Sequence, residues 1–372
     1  MNTGRELINN TIARKGHGNI HGFWVGHPTV EAKENYCKAL DLVAHDENVH
    51  GMETVLHTDN CDKHEIAIQK AIGSDMVWVT PELAPDVWKH PEGKPLWDCF
   101  PNGRAGLNEP GVFAECEDVA EVEAFDWPDP KYMDFSTVIE NIKAAYESGM
   151  AVFGGIWRYL AVFGGMWCPF FHILCDFFGM ENYFVKMYTD PEVVQAVTRH
   201  IVDFLVETNK ILLKETAPYL SAGFFGNDLG TQISTLMSVE KFKEFILPST
   251  QRIIETIKGE NLPVCLHSCG SIDPFIPSLI DTGVDILHPL QALAANMDAK
   301  SLSAKYKGKL IFMGGVDTQD LLPHGTPEQV REEVLRLRDI FGDDYIVSPS
   351  HEALLPVVPF ENVEAMSKAA KE

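Results

Sequence analysis

The feature that most constrains the fold is an alternation of eight short apolar runs with long amphipathic stretches. The runs are 21–26 (HGFWVG), 75–80 (DMVWVT), 151–156 (AVFGGI), 220–226 (LSAGFFG), 263–268 (PVCLHS), 284–289 (VDILHP), 309–315 (KLIFMGG) and 344–349 (DYIVSP). Short, nearly continuous apolar segments between helix-length stretches are what parallel βα units produce. Eight of them predict an α/β fold, a (β/α)8 TIM barrel, in preference to an open doubly wound sheet. Neither a GxGxxG nor a Walker sequence is present, which further disfavours a nucleotide-binding sheet. A chain of 372 residues suits one such barrel, so 1–372 reads as a single domain. Residues 81–135, rich in Pro, Asp, Glu and Trp, read as a loop region inserted over the barrel mouth.

Helix starts are expected at Asp190-Pro191-Glu192, Ser238-Val239-Glu240 and Thr326-Pro327-Glu328. Pro248 should kink or break the second of these helices. AVFGGIW at 151–157 recurs as AVFGGMW at 161–167, a spacing too short for a solenoid repeat. The paired glycines are expected to permit close backbone approach.

Charge and cysteine usage bear on partners and compartment. The 54 acidic against 30 basic residues give a formal charge of −24, which disfavours nucleic acid and anionic membranes as partners. The start, MNTGRELINNTIARKG, lacks the apolar core of a signal peptide. The eight cysteines are scattered without a CxxC and read as reduced thiols. A soluble cytoplasmic enzyme is the expectation.

Barrel active sites lie at the C-terminal ends of the strands, and polar residues recur there. In the segment LHSCG, His267 and Cys269 are two apart, so on a strand both side chains point the same way. An imidazole and a thiolate aimed at one spot form half of a tetrahedral zinc site. His351 and Glu352, after the eighth run, are candidates for the remaining ligands. Asp228 is another, and it is equally suited to a substrate hydroxyl. His288, ahead of Pro289, reads either as a catalytic imidazole or as a ring satisfying backbone groups. Gln232 and Gln291 are candidate substrate contacts. Trp24, Phe153, Trp157 and Trp167 are candidate walls of an apolar ring pocket. Thr80, Glu82 and Asp317 complete the polar set, Asp317 more simply as the cap of a turn.

The segments GFWVGHP, FGMENYFVKMYTDPEVV, FFGNDLGTQ, LHSCGSIDPFIPSLIDTGVDILHPLQ, GGVDTQDLLPHGTPEQV and YIVSPSHEALLPVVPFENVEAM resemble the uroporphyrinogen decarboxylase superfamily, within it the corrinoid-dependent methyltransferase branch. That resemblance implies a (β/α)8 barrel. The methylcobamide:coenzyme M methyltransferases are similar at HSC, where His-x-Cys and a later Cys hold a zinc that activates a thiol. His267 and Cys269 match the first two. No cysteine follows Cys269; alignment from SPSH puts His351 at the third place, and alignment from PFEN puts Glu352 there. The true decarboxylases carry an arginine-rich segment near the first strand, where this chain reads HGFWVGHP. Asp75, in GSDMVWV, matches the aspartate that contacts pyrrole nitrogens in that branch and is a candidate substrate contact. One aspartate without the arginine cradle cannot neutralise a polyanionic porphyrinogen.

The resulting reading is a zinc-dependent methyltransferase that moves a methyl group from an O-methyl compound, an aromatic methyl ether foremost, to cob(I)alamin on a corrinoid protein. No DxHxxG-type motif is present, so the cobalamin would arrive on that partner. Asp228 and Gln232 would orient the substrate or donate a proton. The lack of a His/Cys/Cys set tilts the reading toward an oxygen leaving group. Transfer from a methylcorrinoid to a thiol or folate is one alternative. A metal-independent decarboxylase using Asp75 and His351 is another, and a corrinoid-binding protein without turnover is a third. A homodimer is left open.

Overall fold

A computed structural model describes residues 3–16, 20–42, 63–79, 87–97, 108–155 and 170–372. Seven of the eight apolar runs form one parallel sheet. Its strands are β2 (Met76–Val79), β3 (Ala151–Gly154), β4 (Ala222–Gly226), β5 (Val264–His267), β6 (Ile286–Leu290), β7 (Ile311–Val316) and β8 (Tyr345–Pro349), hydrogen-bonded in chain order. Every residue of these strands is buried, because helices cover the outside and side chains fill the inside.

The first run, 21–26, closes the ring without forming a regular strand. Val347 N–H donates to Gly22 O (2.9 Å), Trp24 N–H donates to Val347 O (3.0 Å), and Asp75 N–H donates to Phe23 O (2.8 Å). Residues 22–24 thus bond to β8 on one side and to the residue preceding β2 on the other. The ladder is incomplete because side chains take two of its places. Phe23 N–H donates to Asp75 Oδ2 (2.8 Å) and Val25 N–H to Ser74 Oγ (3.4 Å).

Gly26 then turns the chain out of the ring at φ +84°. The next two residues, β1 (His27–Pro28), pair in parallel with β9 (Ala353–Leu354) just beyond the end of β8. A Cβ on Gly26 would lie 2.3 Å from the carbonyl oxygen of Glu352. A backbone oxygen cannot move aside as a flexible side chain can, so this clasp requires glycine. Gly26→Ala is expected to cost roughly 1–3 kcal/mol of stability. Urea unfolding measures this, and a variant as stable as the parent would show that the clasp yields freely.

The helical expectations hold in part. Thr326 caps the helix Pro327–Phe341 in a reciprocal box with Gln329. Pro248 does not break its helix; the chain widens into a π turn at Phe242–Ile246 and resumes as Leu247–Gly259. The wide turn absorbs the missing N–H and the ring clash. Asp190 precedes the 26-residue helix Pro191–Thr216, yet its side chain caps nothing. Its carboxylate instead accepts from Thr189 Oγ1 (2.6 Å) and Lys186 Nζ (3.2 Å).

The described parts of 81–135 pack through an aromatic cluster on the outer helices. Phe113 stacks on Phe177, Trp127 lies tilted against Phe177 at 5.2 Å, and Trp97 meets Phe204 edge-on at 5.0 Å. Of the repeated AVFGG segments, β3 carries the first, and 161–167 lies outside the described residues.

Candidate active site

Strand register brings the site residues to one end. Gly226, His267 and His288 lie side by side on β4, β5 and β6. Asp228 follows β4, Cys269 follows β5, and His351 and Glu352 follow β8. Among the described residues, two overlapping groups of possible metal ligands result, Asp228/His267/Cys269 and Cys269/His351/Glu352. Within each, the ligand atoms lie within 4.8 Å of one another. The expected pairing of His267 with Cys269 is present, with Sγ 3.3 Å from His267 Nε2.

The loop holding Cys269 is fixed by its neighbours. Gly270, at φ +83°, lies so close to Gly230 that a Cβ would come within 2.4 Å of the Gly230 carbonyl carbon. Cys269 N–H donates to Asp228 Oδ1 (2.9 Å), and Gly270 N–H donates to Gln291 Oε1 (2.8 Å). Gln232 Nε2 donates to the same Gln291 oxygen at 3.4 Å. Asp228, Gln232 and Gln291 therefore sit at the site, with Asp228 and Gln291 also orienting the turn that carries the thiol.

His267 is fully buried between two acids, with Asp228 Oδ1 3.3 Å from its Nε2 and Glu352 Oε2 3.8 Å from its Nδ1. Burial pushes its pKa down, but the charges of Glu352 and Asp228 outweigh that and hold it above the ordinary value. Burial pushes Asp228 up, and the hydrogen bond and charge of His267, with help from His172, hold it well below the usual carboxylate range. His288 Nδ1 lies 3.0 Å from His267 Nδ1. Burial first, then the neighbouring histidines, keep His288 neutral. It is fully buried behind His267, where it can orient that ring.

Glu352 has an unmet requirement. It is 1% exposed, and neither carboxylate oxygen receives a hydrogen bond from the described residues. A buried carboxylate with no donor is costly and calls for a cation or a proton. His351 differs, since its Nδ1 already accepts the Ala353 N–H at 3.0 Å and its side chain is 37% exposed. The donor set of an imidazole, a thiol and an orphaned carboxylate matches zinc chemistry.

Several expected substrate contacts lie elsewhere. Asp75 precedes β2 and so stands at the foot of the barrel, opposite the site. There Phe23 N–H and Lys371 Nζ hold its carboxylate. The pair Asp75 and His351, required by a metal-independent decarboxylase, is not brought together. Trp24 is 1% exposed and Phe153 fully buried, so neither walls an open pocket. Trp24 instead packs edge-on against Trp78 and His288, at 5.8 and 5.2 Å, in an aromatic layer beneath the metal ligands. Thr80, Glu82, Trp157 and Trp167 lie outside the described residues. Asp317 is the turn cap, accepting N–H groups from Gln319, Asp320 and Leu321. His172 was not anticipated; a His and an Asp four apart within FFHILCDFF was its only sequence signal.

A parallel barrel with an acid, imidazole and thiol cluster at the strand ends defines a class of barrel proteins with potential metal-ligating groups gathered at the C-terminal mouth. The uroporphyrinogen decarboxylase (URO-D) family model matches residues 105–372, and the chain belongs to that family. It is similar to a methylated-thiol–coenzyme M methyltransferase of Methanosarcina mazei, 30% identical over 206 residues, covering 52% of this chain and 48% of that protein. It is also similar to a methylcobamide:CoM methyltransferase of Methanosarcina acetivorans, 24% identical over 191 residues, covering 51% of this chain and 52% of that protein. The chain thus spans about half the length of these curated relatives. A solved methyltransferase structure from Methanosarcina mazei superposes over 100% of this chain and 98% of its own, with a TM-score of 0.65 and 14% identity, which supports the barrel. Among the described residues, no helix is long and apolar enough to cross a membrane.

Proposed function

We propose that this chain is a zinc-dependent methyltransferase of the corrinoid branch, moving a methyl group from an aromatic methyl ether to the cob(I)alamin of a separate corrinoid protein. The observation that carries the metal is the buried Glu352 carboxylate without a donor, beside Cys269 and His267. Cys269, common to both ligand groups, would hold the ion with one member of each, His267 and Glu352, and His351 is the weaker candidate because its Nδ1 lone pair is engaged. When bound, zinc supplies Lewis-acid stabilisation of the negative charge that develops on the departing ether oxygen.

The chain's own residues prepare that event. Asp228 and Gln291 fix the Cys269–Gly270 turn through its two N–H groups, and His288 sets the plane of the His267 ring. Gln232 stands at the mouth with its amide available to orient the substrate. The relatives' names favour a second reading, methyl transfer to or from a thiol at the same site. The chain's lack of any cysteine after Cys269 favours the oxygen leaving group.

The test is transfer from 2-methoxyphenol to free cob(I)alamin by the zinc-loaded protein, followed by loss of the cob(I)alamin absorbance. Turnover with the ether and none with methylated thiols is expected. Turnover with methylated thiols alone would replace this reading by the second.

A further inference from the structure

Beside the metal ligands, a cleft of about 690 Å³ opens between the loops that follow β6, β7 and β8. That volume lies within the usual range for small-molecule sites. We propose that this cleft holds the body of the methyl donor, and that the donor is a neutral, ring-bearing compound rather than an anion. The inference rests on the methyltransferase reading for the word donor, and on the cleft alone for the ligand's chemistry.

The cleft is lined by the apolar Leu293, Leu355 and Val357, by the uncharged hydrogen-bonding Gln232, Gln291 and Thr318, and by the ionisable Asp317, His324 and His351. The three apolar residues are 59%, 47% and 55% exposed, a large apolar area to leave in water next to a reaction centre. An aromatic ring laid on them would cover them and leave its substituents to the amides. His351 is shared between the cleft and the metal cluster. Because its Nδ1 accepts the Ala353 N–H, its Nε2 is left as the donor for a substrate oxygen. A ligand here therefore has its apolar body in the cleft and one oxygen beside the candidate metal ligands, as an aryl methyl ether requires.

Asp317 decides the charge class. Its carboxylate is already engaged by three backbone N–H groups and is not available to bind a ligand cation closely. It lines the cleft all the same, within a protein of formal charge −24. A carboxylate or sulfonate on the donor would be repelled from this cleft, and a neutral phenol ether would not.

Binding to the zinc-loaded full chain is measured by titration calorimetry with 2-methoxyphenol and with 4-methoxybenzoate, for the parent, Leu355→Glu and Leu355→Arg. Leu355 is a surface position, and zinc content and melting temperature check that each variant is intact. The parent is expected to bind 2-methoxyphenol at least tenfold more tightly than 4-methoxybenzoate. Leu355→Glu should weaken 2-methoxyphenol about tenfold, and Leu355→Arg should raise the affinity for 4-methoxybenzoate. No binding of 2-methoxyphenol to the parent, or affinities unchanged within twofold in both variants, overturns the proposal. Binding as expected without methyl transfer to cob(I)alamin would leave the cleft assignment standing and remove the methyltransferase reading.

Discussion

Replacing Glu352 by Gln should weaken zinc binding by at least about a hundredfold, whereas His351→Ala should weaken it by tenfold or less. The asymmetry follows from what each side chain already does. The Glu352 carboxylate is buried without a hydrogen-bond donor among the described residues, and its Oε2 lies 3.8 Å from His267 Nδ1 and 3.6 Å from His351 Nδ1. Its burial cost is recovered only when a cation completes the site. A glutamine keeps the shape and removes the charge, so the ion loses an anionic ligand; a hundredfold is roughly 2.7 kcal/mol. His351 is partly in solvent, with one ring nitrogen committed to backbone, and contributes less. Competition with a chromophoric chelator measures both. Equal losses in the two variants would mean that the ligand set includes His351 on the same footing.

The second large effect lies outside the site. Lys33, in the helix Val30–Ala39, and Glu65, in the helix Lys63–Ile72, form a 2.8 Å ion pair whose side chains are 11% and 9% exposed. Gln69 Nε2 donates both to Glu65 Oε1 (3.0 Å) and to the carbonyl of Gly26 (3.1 Å), so the pair is joined to the clasp that positions Glu352. Glu65→Gln removes this counter-charge from the buried Lys33, and the expected cost is roughly 3–5 kcal/mol. Lys33→Met/Glu65→Leu, which removes both charges, should recover most of that loss.

The pH dependence has a definite sign. Burial pushes the Glu65 pKa up, but the charge and hydrogen bond of Lys33, with Gln69, outweigh it and set the folded value below the unfolded one. The pair's contribution is therefore present above the unfolded pKa of about 4.3 and is lost as pH falls through the folded value. Urea unfolding at pH 7 and pH 3 should show a smaller pH dependence in the double variant than in the parent. A parent whose stability rises between pH 7 and pH 3 would contradict the assignment.

What could be read from the residues, and what could not, follows from the range of each interaction. Strand positions were legible because burial on both faces leaves a continuous apolar signature, as in Val264-Cys265-Leu266. The His267/Cys269 pair was legible because the two stand only two positions apart, although Cys269 lies in the turn after β5 and not on the strand. Asp75 was misplaced although its position was available: a residue opening a strand stands at the foot of a parallel barrel. Trp24 was misjudged because an aromatic side chain near a site carries no mark distinguishing a pocket wall from a supporting layer. The choice between His351 and Glu352 was beyond any local pattern. It depends on a lone pair taken by the Ala353 N–H and on a clasp between residues more than three hundred positions apart. The role of Gly26 belongs to the same category, since the oxygen it makes room for is that of Glu352.

The central claim is a zinc ion held by Cys269 and its neighbours, and elemental analysis tests it most directly. The parent and Cys269→Ala, both purified without chelator, are compared by metal content per chain. About one zinc per chain in the parent, lost in the variant, is the predicted result. A parent free of stoichiometric metal, or a variant that retains it fully, would contradict the account.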